Sequence, residues 1–210
     1  MPTSVSPLDI ALLRRAILSR TAYQLEASIR ASVVLILHPG LDDIELLLIR
    51  RAQRDGDPWS GQIGLPGGHR QEEDADDQQT ALRETEEEIG LNLAQAGEFL
   101  GVLDDIRASA RGHTLDLVLT PFVYQVGASP RFVAGDEVAE VLWVSLSALA
   151  NGKHFICHPV QIESHIATLP GWGVANYIVW GLTYRIISGL LRRVIDATER
   201  LSSEASPSIQ

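Results

Sequence analysis

Glu84, Glu87 and Glu88 stand at i, i+3 and i+4, a spacing that gathers three carboxylates on one face of a helix. Like charges so placed repel by about 0.2–0.5 kcal/mol per pair on an exposed helix, and a divalent cation bound through their oxygens reverses that sign. Ahead of them, across an acidic segment, lies Leu65-Pro66-Gly67-Gly68, which can turn tightly and bring bare backbone close to a ligand. Carboxylates beside a glycine turn suit Mg²⁺ or Mn²⁺, the hard cations that oxygen ligands hold.

The elements that must position these groups follow from periodicity. A helix is expected from Asp77 to Ile89, with Leu82, Thr85 and Ile89 at i, i+3 and i+7 beside Ala81 as a narrow apolar stripe for packing on a sheet. Gly90 suits the left-handed C′ position that ends a helix. Glu86 falls off the carboxylate face and reads as solvated.

Arg83-Glu84-Thr85-Glu86-Glu87-Glu88-Ile89-Gly90-Leu91 resembles the C-terminal half of the Nudix box, Gly-x5-Glu-x7-Arg-Glu-U-x-Glu-Glu-x-Gly-U with U aliphatic, with Thr85 as a departure at the first U. Strict counting back from Arg83 puts Ala75 at the first Glu and His69 at the Gly. One inserted residue in the intervening loop restores Gly68 and gives Asp74 for Glu. The same extra residue is familiar in the coenzyme A pyrophosphatase-like branch, which Arg51-Ala52 with Ser60 to Gly68, and Trp180-Gly181-Leu182-Thr183, also resemble. Leu65 replaces a Phe of that branch, the spacer from Arg51 to Gly61 is one residue longer, and Asp55-Gly56-Asp57-Pro58-Trp59 replaces a Leu-Arg-x-His run.

The resemblance implies an α/β Nudix fold, an α/β/α sandwich with a mixed β-sheet and a catalytic helix. It implies a metal-dependent hydrolase of a pyrophosphate bond in a nucleoside diphosphate linked to another moiety, with coenzyme A or its derivatives favoured. ADP-ribose, nucleotide sugars and dinucleoside polyphosphates are the alternatives, and a ligand-binding Nudix module without activity is a third reading. Glu84, Glu87 and Glu88 would be the metal ligands with a carbonyl of Gly67 or Gly68, and Arg83 would orient a box carboxylate through an ion pair. Glu87 and Glu137 compete as general base; Glu137 lies just before the strand Val138 to Val144, and Glu140 is its rival. Arg51, Gly67 and Trp59 are the substrate-binding candidates; strand-end arginines such as Arg50 and Arg51 are as often only solvated, and Trp59 is either exposed or stacked on a base. Trp180-Gly181-Leu182-Thr183 reads as packing, with Gly181 permitting close helix approach.

A chain of 210 residues, 45% hydrophobic, suits one core. The formal net charge of -10 argues against a nucleic-acid backbone reader. The lone Cys157 suits a reducing compartment, no signal peptide is read at Met1 to Pro7, and the apolar Val174 to Tyr184 is too short to span a bilayer, so a cytoplasmic protein is expected. His154, Cys157, His158 and His165 match no regular metal framework. Pro7 to Arg20 reads as an amphipathic helix, with Ile10, Leu13, Ile17 and Leu18 on the side that packs beside the domain or on a second copy in a homodimer. Strands are expected at Ser32 to His38, Ile44 to Arg51, Glu98 to Leu103, Leu115 to Val126 and Val138 to Val144, the last after the turn Ala134-Gly135-Asp136, and a final helix over Val174 to Thr198. The expected division is an N-terminal extension at 1–30, a Nudix domain at 31–198 and a disordered tail at 199–210.

Overall fold

The computed structural model describes residues 8–204, apart from 41, 57–58, 111–112, 128–129 and 163. Asp57 and Pro58 of the expected polar loop, Pro7, and residues 205–210 of the expected tail thus lie outside the described residues.

The aliphatic, β-branched runs form the strands they suggest, and their alternation sends side chains to two faces. β1 (Ile29–Pro39) lies at the centre of a mixed eight-stranded sheet, antiparallel to β2 (Ile44–Arg51), with β3 (Ile63–Gly64) beyond β2 and β4 (Gly67–His69) antiparallel to one end of β1. On its other side β1 runs parallel to β7 (His113–Val126), which carries β5 (Gly97–Val102) and β6 (Ile106–Ala110). β8 (Val138–Ser145) adds to β2. The stretch after Leu103, expected only to join two strands, thus contributes β6.

Val33, Leu35 and Leu37 of β1 face one layer, and Val34 and Ile36 face the other. The first layer is made by α1 (Ile10–Leu18), the short α4 (Leu146–Ala150) and the long α5 (Gly181–Glu204); the second by α2 (Asp77–Ile89) and the one-turn α3 (Leu93–Ala96). This is the expected α/β/α sandwich. Leu13, Ala16 and Ile17 of α1 are buried within the chain, whereas Leu18, expected on the same side, is exposed. The helix therefore packs beside the domain through Leu13, Ala16 and Ile17, and leaves Leu18 of the expected apolar face uncovered.

The C-terminal third departs furthest from expectation. Val174 ends a strand instead of opening a helix: β9 (Phe155–Ile162), β10 (His165–Val174) and β11 (Tyr177–Trp180) form a separate antiparallel sheet. The turn Ala175-Asn176 between β10 and β11 holds Ala175 at φ 50, a left-handed conformation that an alanine does not advertise in sequence. Helix α5 then opens at Gly181, whose φ of 64 explains the glycine; a Cβ there would meet nothing within 4 Å, so close helix approach is not its reason. α5 runs on to Glu204, past the expected end at Thr198. Among the described residues no helix is long and apolar enough to cross a membrane.

Candidate functional site

Helix α2 has the expected bounds. Asp76 caps it by accepting from the Gln79 N–H, and Gly90 closes it at φ 65 with its N–H on Glu86 O. Its apolar stripe packs as expected except that Leu82 is only partly buried. Thr85 replaces an aliphatic residue at no cost in unpaired polar groups, because its buried hydroxyl donates to Ala81 O at 2.7 Å.

The glycine turn is fixed from beneath. Pro66 O accepts from the Val34 N–H at 2.8 Å and β4 pairs with β1, so Gly67 lies directly over the backbone of Ser32 and Val33. A Cβ on Gly67, at φ 148, would stand 2.1 Å from Ser32 O, and one on Gly68 would stand 2.4 Å from the carboxyl carbon of Glu84. Both glycines are therefore required by close approach, the first to backbone and the second to a carboxylate.

The three carboxylates of α2 are unequal. Glu88 is 5% exposed, accepts from the Gly67 N–H at 2.9 Å, and makes no ion pair within 4 Å among the described residues. Burial, together with the charges of Glu84 and Glu137, outweighs the Gly67 N–H and Arg51, and raises its pKa to about 7. Glu84 is half-buried under Gly68, and burial raises its pKa too, against the pull of Arg83. Glu87 is exposed.

Arg83 ties this helix to the loop before it. Its guanidinium holds both oxygens of Asp74, at 3.0 and 2.9 Å, Glu84 at 2.8 Å, Glu87 at 3.1 Å and His69 O at 3.1 Å. Asp74 is buried and also accepts from the Thr80 hydroxyl and the Gln71 N–H, at 2.9 and 3.0 Å. The Arg83 bonds hold the Asp74 carboxyl far below the usual carboxylate range, despite burial. The residue that the inserted position brings into the motif is thus the buried anchor of Arg83. Nothing in the run Glu72-Glu73-Asp74-Ala75-Asp76-Asp77 sets it apart except that one-residue alignment.

A second loop closes the site from the opposite end. The backbone N–H groups of Val133 and Gly135 donate to Ile89 O and Glu88 O at 2.9 and 2.8 Å, capping the last carbonyls of α2. A Cβ on Gly135 would stand 2.7 Å from Glu87 O. The Ala52 N–H then donates to Glu137 O at 2.8 Å, which fixes Glu137 beside the end of β2. Glu137 is exposed, pairs with Arg54 at 3.1 Å, and acts electrostatically on both Glu84 and Glu88. Glu140 points elsewhere: it accepts from Tyr177 Oη at 2.6 Å and faces Arg50 at 3.4 Å, with the Arg50 guanidinium over the Tyr177 ring at 5.5 Å. The helix cap and the Tyr177 contact are long-range, and no spacing in the sequence signals them.

Of the other expected groups, Arg51 lies close enough to Glu88 to lower its pKa and so belongs to the cluster. Arg50 does not; it is engaged with Glu140. Trp59 is partly exposed, with its carbonyl accepting from the Gln62 N–H at 3.1 Å. Thr183 donates to Ile63 O at 3.2 Å, joining α5 to the strand ahead of the glycine turn. His158 packs against Trp180 at 5.3 Å in the smaller sheet.

The fit to a divalent cation is one of chemistry. Glu88 is a buried carboxylate with no ion pair within 4 Å among the described residues and only the more distant charge of Arg51 to offset burial, next to a second carboxylate that burial also disfavours, and a bound cation would relieve both. In the present arrangement Glu84 and Glu87 turn to Arg83, and among the described residues no three His, Cys, Asp or Glu side chains are gathered as a ready-made metal cage.

Comparison with known proteins agrees with this architecture. The chain is 40% identical over 107 residues to an uncharacterized protein of Schizosaccharomyces pombe, covering 50% of this chain and 32% of that protein. It is 30% identical over 151 residues to a protein of Caenorhabditis elegans named peroxisomal coenzyme A diphosphatase ndx-8, covering 66% of this chain and 62% of that one. It thus spans less than two thirds of the length of these curated relatives. The crystal structure of a MutT/nudix family protein from Enterococcus faecalis shares the fold, with a TM-score of 0.50 at 20% identity over 90% of this chain and 70% of that one. The profile of the NUDIX domain matches residues 28–162, a span that holds the glycine turn, Asp74, the whole of α2 and Glu137. With the box on its expected helix, packed on the expected mixed sheet, the chain belongs to the Nudix hydrolase family.

Proposed function

We propose that the protein hydrolyses the pyrophosphate bond of a nucleoside diphosphate linked to a second moiety, with coenzyme A or its derivatives as substrate and Mg²⁺ or Mn²⁺ as cofactor. The observation that carries this reading is the burial of Glu88 and Glu84 beneath Gly67 and Gly68, with Arg51 and Glu137 in electrostatic reach. Glu84, Glu87 and Glu88 would hold the cation, with a carbonyl of the glycine turn. When bound, it neutralises phosphate charge and acidifies an attacking water.

The chain's own residues set up the rest. Arg83, anchored on buried Asp74, orients Glu84 and Glu87 and does not reach for substrate. Gly67 and Gly68 let the turn lie against the β1 backbone and the Glu84 carboxylate, which keeps its bare backbone beside the carboxylate cluster. Arg51 supplies positive charge for a phosphate oxygen, and Trp59 offers a partly exposed ring to a base. Glu137 is the proton acceptor we favour over Glu140: although paired with Arg54 it is exposed, its backbone is held at the end of β2 and its charge reaches Glu84 and Glu88, whereas Glu140 turns to Tyr177 and Arg50. The substrate assignment within the family rests on the branch resemblance and on the nematode relative's name. A cytoplasmic location remains part of this proposal, on the lone Cys157.

The test is a panel of coenzyme A, ADP-ribose, nucleotide sugars and dinucleoside polyphosphates with product analysis. Release of 4′-phosphopantetheine and 3′,5′-ADP from coenzyme A at the highest kcat/KM is the expected result. Turnover of another panel member with indifference to coenzyme A would overturn the substrate while leaving the chemistry.

A further inference from the structure

On the sheet face opposite α2, a cavity of about 280 Å³ opens between α5, the start of β6 and the segment after α1. Its floor is apolar, from Leu103, Ile106 and Pro121, and its rim carries four arginines against two aspartates. Two of the arginines are spoken for. Arg20 and the buried Arg193 both bind Asp104, the latter at 2.8 Å.

The other two are not neutralised. Arg185 donates only to a backbone carbonyl, Arg107 O, at 3.2 Å, and Arg192 has no hydrogen bond or ion pair among the described residues. They stand at i and i+7 on α5, so both project from one face about 10 Å apart along the axis. In a chain of formal charge -10, two guanidiniums with no ion pair among the described residues bordering one cavity form a local reversal of sign.

Gly189 lies between them on the same face, inside a 24-residue helix. Glycine is the poorest helix former after proline, so its place in a helix interior calls for a reason. Neither of the common reasons applies: its φ is not in the left-handed region, and a Cβ there would meet nothing within 4 Å. What the missing side chain leaves is open cavity between two arginines.

We infer that this cavity is a second ligand site, taking a phosphoryl group on a small organic body, with Arg185 and Arg192 as the anion-binding pair and Gly189 keeping the floor open. Guanidinium forks match phosphate oxygens in pairs, and the apolar floor suits the body that carries them. The size admits a molecule on the scale of a nucleoside monophosphate. The site is independent of the α2 chemistry, since the sheet stands between them.

The experiment titrates the full chain with AMP by calorimetry, in excess EDTA so that no divalent cation recruits the probe to α2, with inorganic phosphate as competitor. One saturable site that phosphate displaces is expected. Arg192→Ala and Arg185→Ala weaken AMP at least tenfold, and Gly189→Leu, whose side chain enters the cavity, abolishes binding. The melting temperature and basal turnover of Arg192→Ala and Gly189→Leu stay at wild-type values, whereas Glu88→Gln leaves AMP binding in EDTA unchanged. Absence of saturable binding to the wild type, failure of phosphate to compete, or equal affinity in Arg192→Ala and Gly189→Leu overturns the assignment.

Discussion

At the scale of single residues, Asp74 and Arg83 show how one buried pair sets up exposed chemistry. The Asp74 side chain is 3% exposed and accepts two bonds from Arg83, so removing its charge leaves the guanidinium only Glu84 and the exposed Glu87 as ion-pair partners. Asp74→Asn is expected to lower folding stability by about 1.5–3 kcal/mol, read by urea denaturation at neutral pH. The pH dependence follows from the depressed pKa. The stabilisation is complete above the unfolded value of about 3.9 and is lost as pH falls below it towards the folded value. The wild type therefore loses stability steeply below about pH 4, and the Asp74→Asn variant less so; parallel acid limbs for the two proteins would show that the pair does not carry this term. The same scale separates Glu137 from Glu140. Glu137→Gln is expected to lower kcat by about 10²–10⁴-fold, the range for a lost general base, while Glu140→Gln changes kcat by less than about tenfold. Equal losses in the two variants would remove Glu137 from its role.

At the scale of elements, the site is a glycine turn clamped between β1 and α2, and its two glycines fail differently. Gly67→Ala puts a methyl against Ser32 O, a backbone atom that cannot move without breaking β1–β4 pairing, and the position also needs a positive φ. That variant is expected to lose the native fold, seen as loss of a cooperative thermal transition. Gly68→Ala meets the end of a side chain, Glu84, which can turn away; the fold survives and kcat falls at least about a hundredfold. Similar melting and similar kcat for the two alanines would contradict this division of labour.

Legibility in the sequence follows the range of the interactions. The bounds of α2, its Gly90 cap, its burial stripe and the β1–β2 and β7–β8 strands are local patterns of period and turn chemistry, and Glu84, Glu87 and Glu88 could be read as one constellation from spacing, with Arg83 joined to them by the family resemblance. Their inequality could not, because Glu88 and not Glu87 accepts from the Gly67 N–H, more than twenty residues away. The smaller sheet escaped for a local reason: Val174 to Trp180 is apolar, and its hairpin turns at an alanine with positive φ. Ala175→Gly should relieve that strain and raise stability by about 1 kcal/mol, measured as a shift in the denaturation midpoint. An unchanged or lower midpoint would argue against the turn.

At the scale of the whole molecule, α1 and the segment after it are stitched to the far side of the sheet. Gly101, at φ 143, lets Ile17 come so close that a Cβ would stand 2.5 Å from its Cγ2, and Arg193 binds both Ile17 O and Asp104. The segment's backbone is held by aspartates, with Tyr23 N–H on Asp104 at 2.8 Å and Leu25 N–H on Asp105 at 2.9 Å. Arg30 carries this tether through the sheet to α2, binding Leu25 O, Asp105, Thr120 and Asp77. α1 and the segment after it are therefore packed and hydrogen-bonded onto the same sheet that carries the site.

The central claim is that the buried end of the α2 carboxylate cluster drives a cation-dependent cleavage. The most direct measurement is steady-state hydrolysis of coenzyme A with saturating Mg²⁺ or Mn²⁺, comparing the wild type with Glu88→Gln, which keeps the side-chain shape and can still accept from the Gly67 N–H. The account predicts cation-dependent turnover for the wild type and a kcat lower by at least about 10²–10³-fold for the variant, with unchanged circular dichroism. Turnover in Glu88→Gln equal to the wild type, or wild-type turnover that persists in excess EDTA, would contradict it.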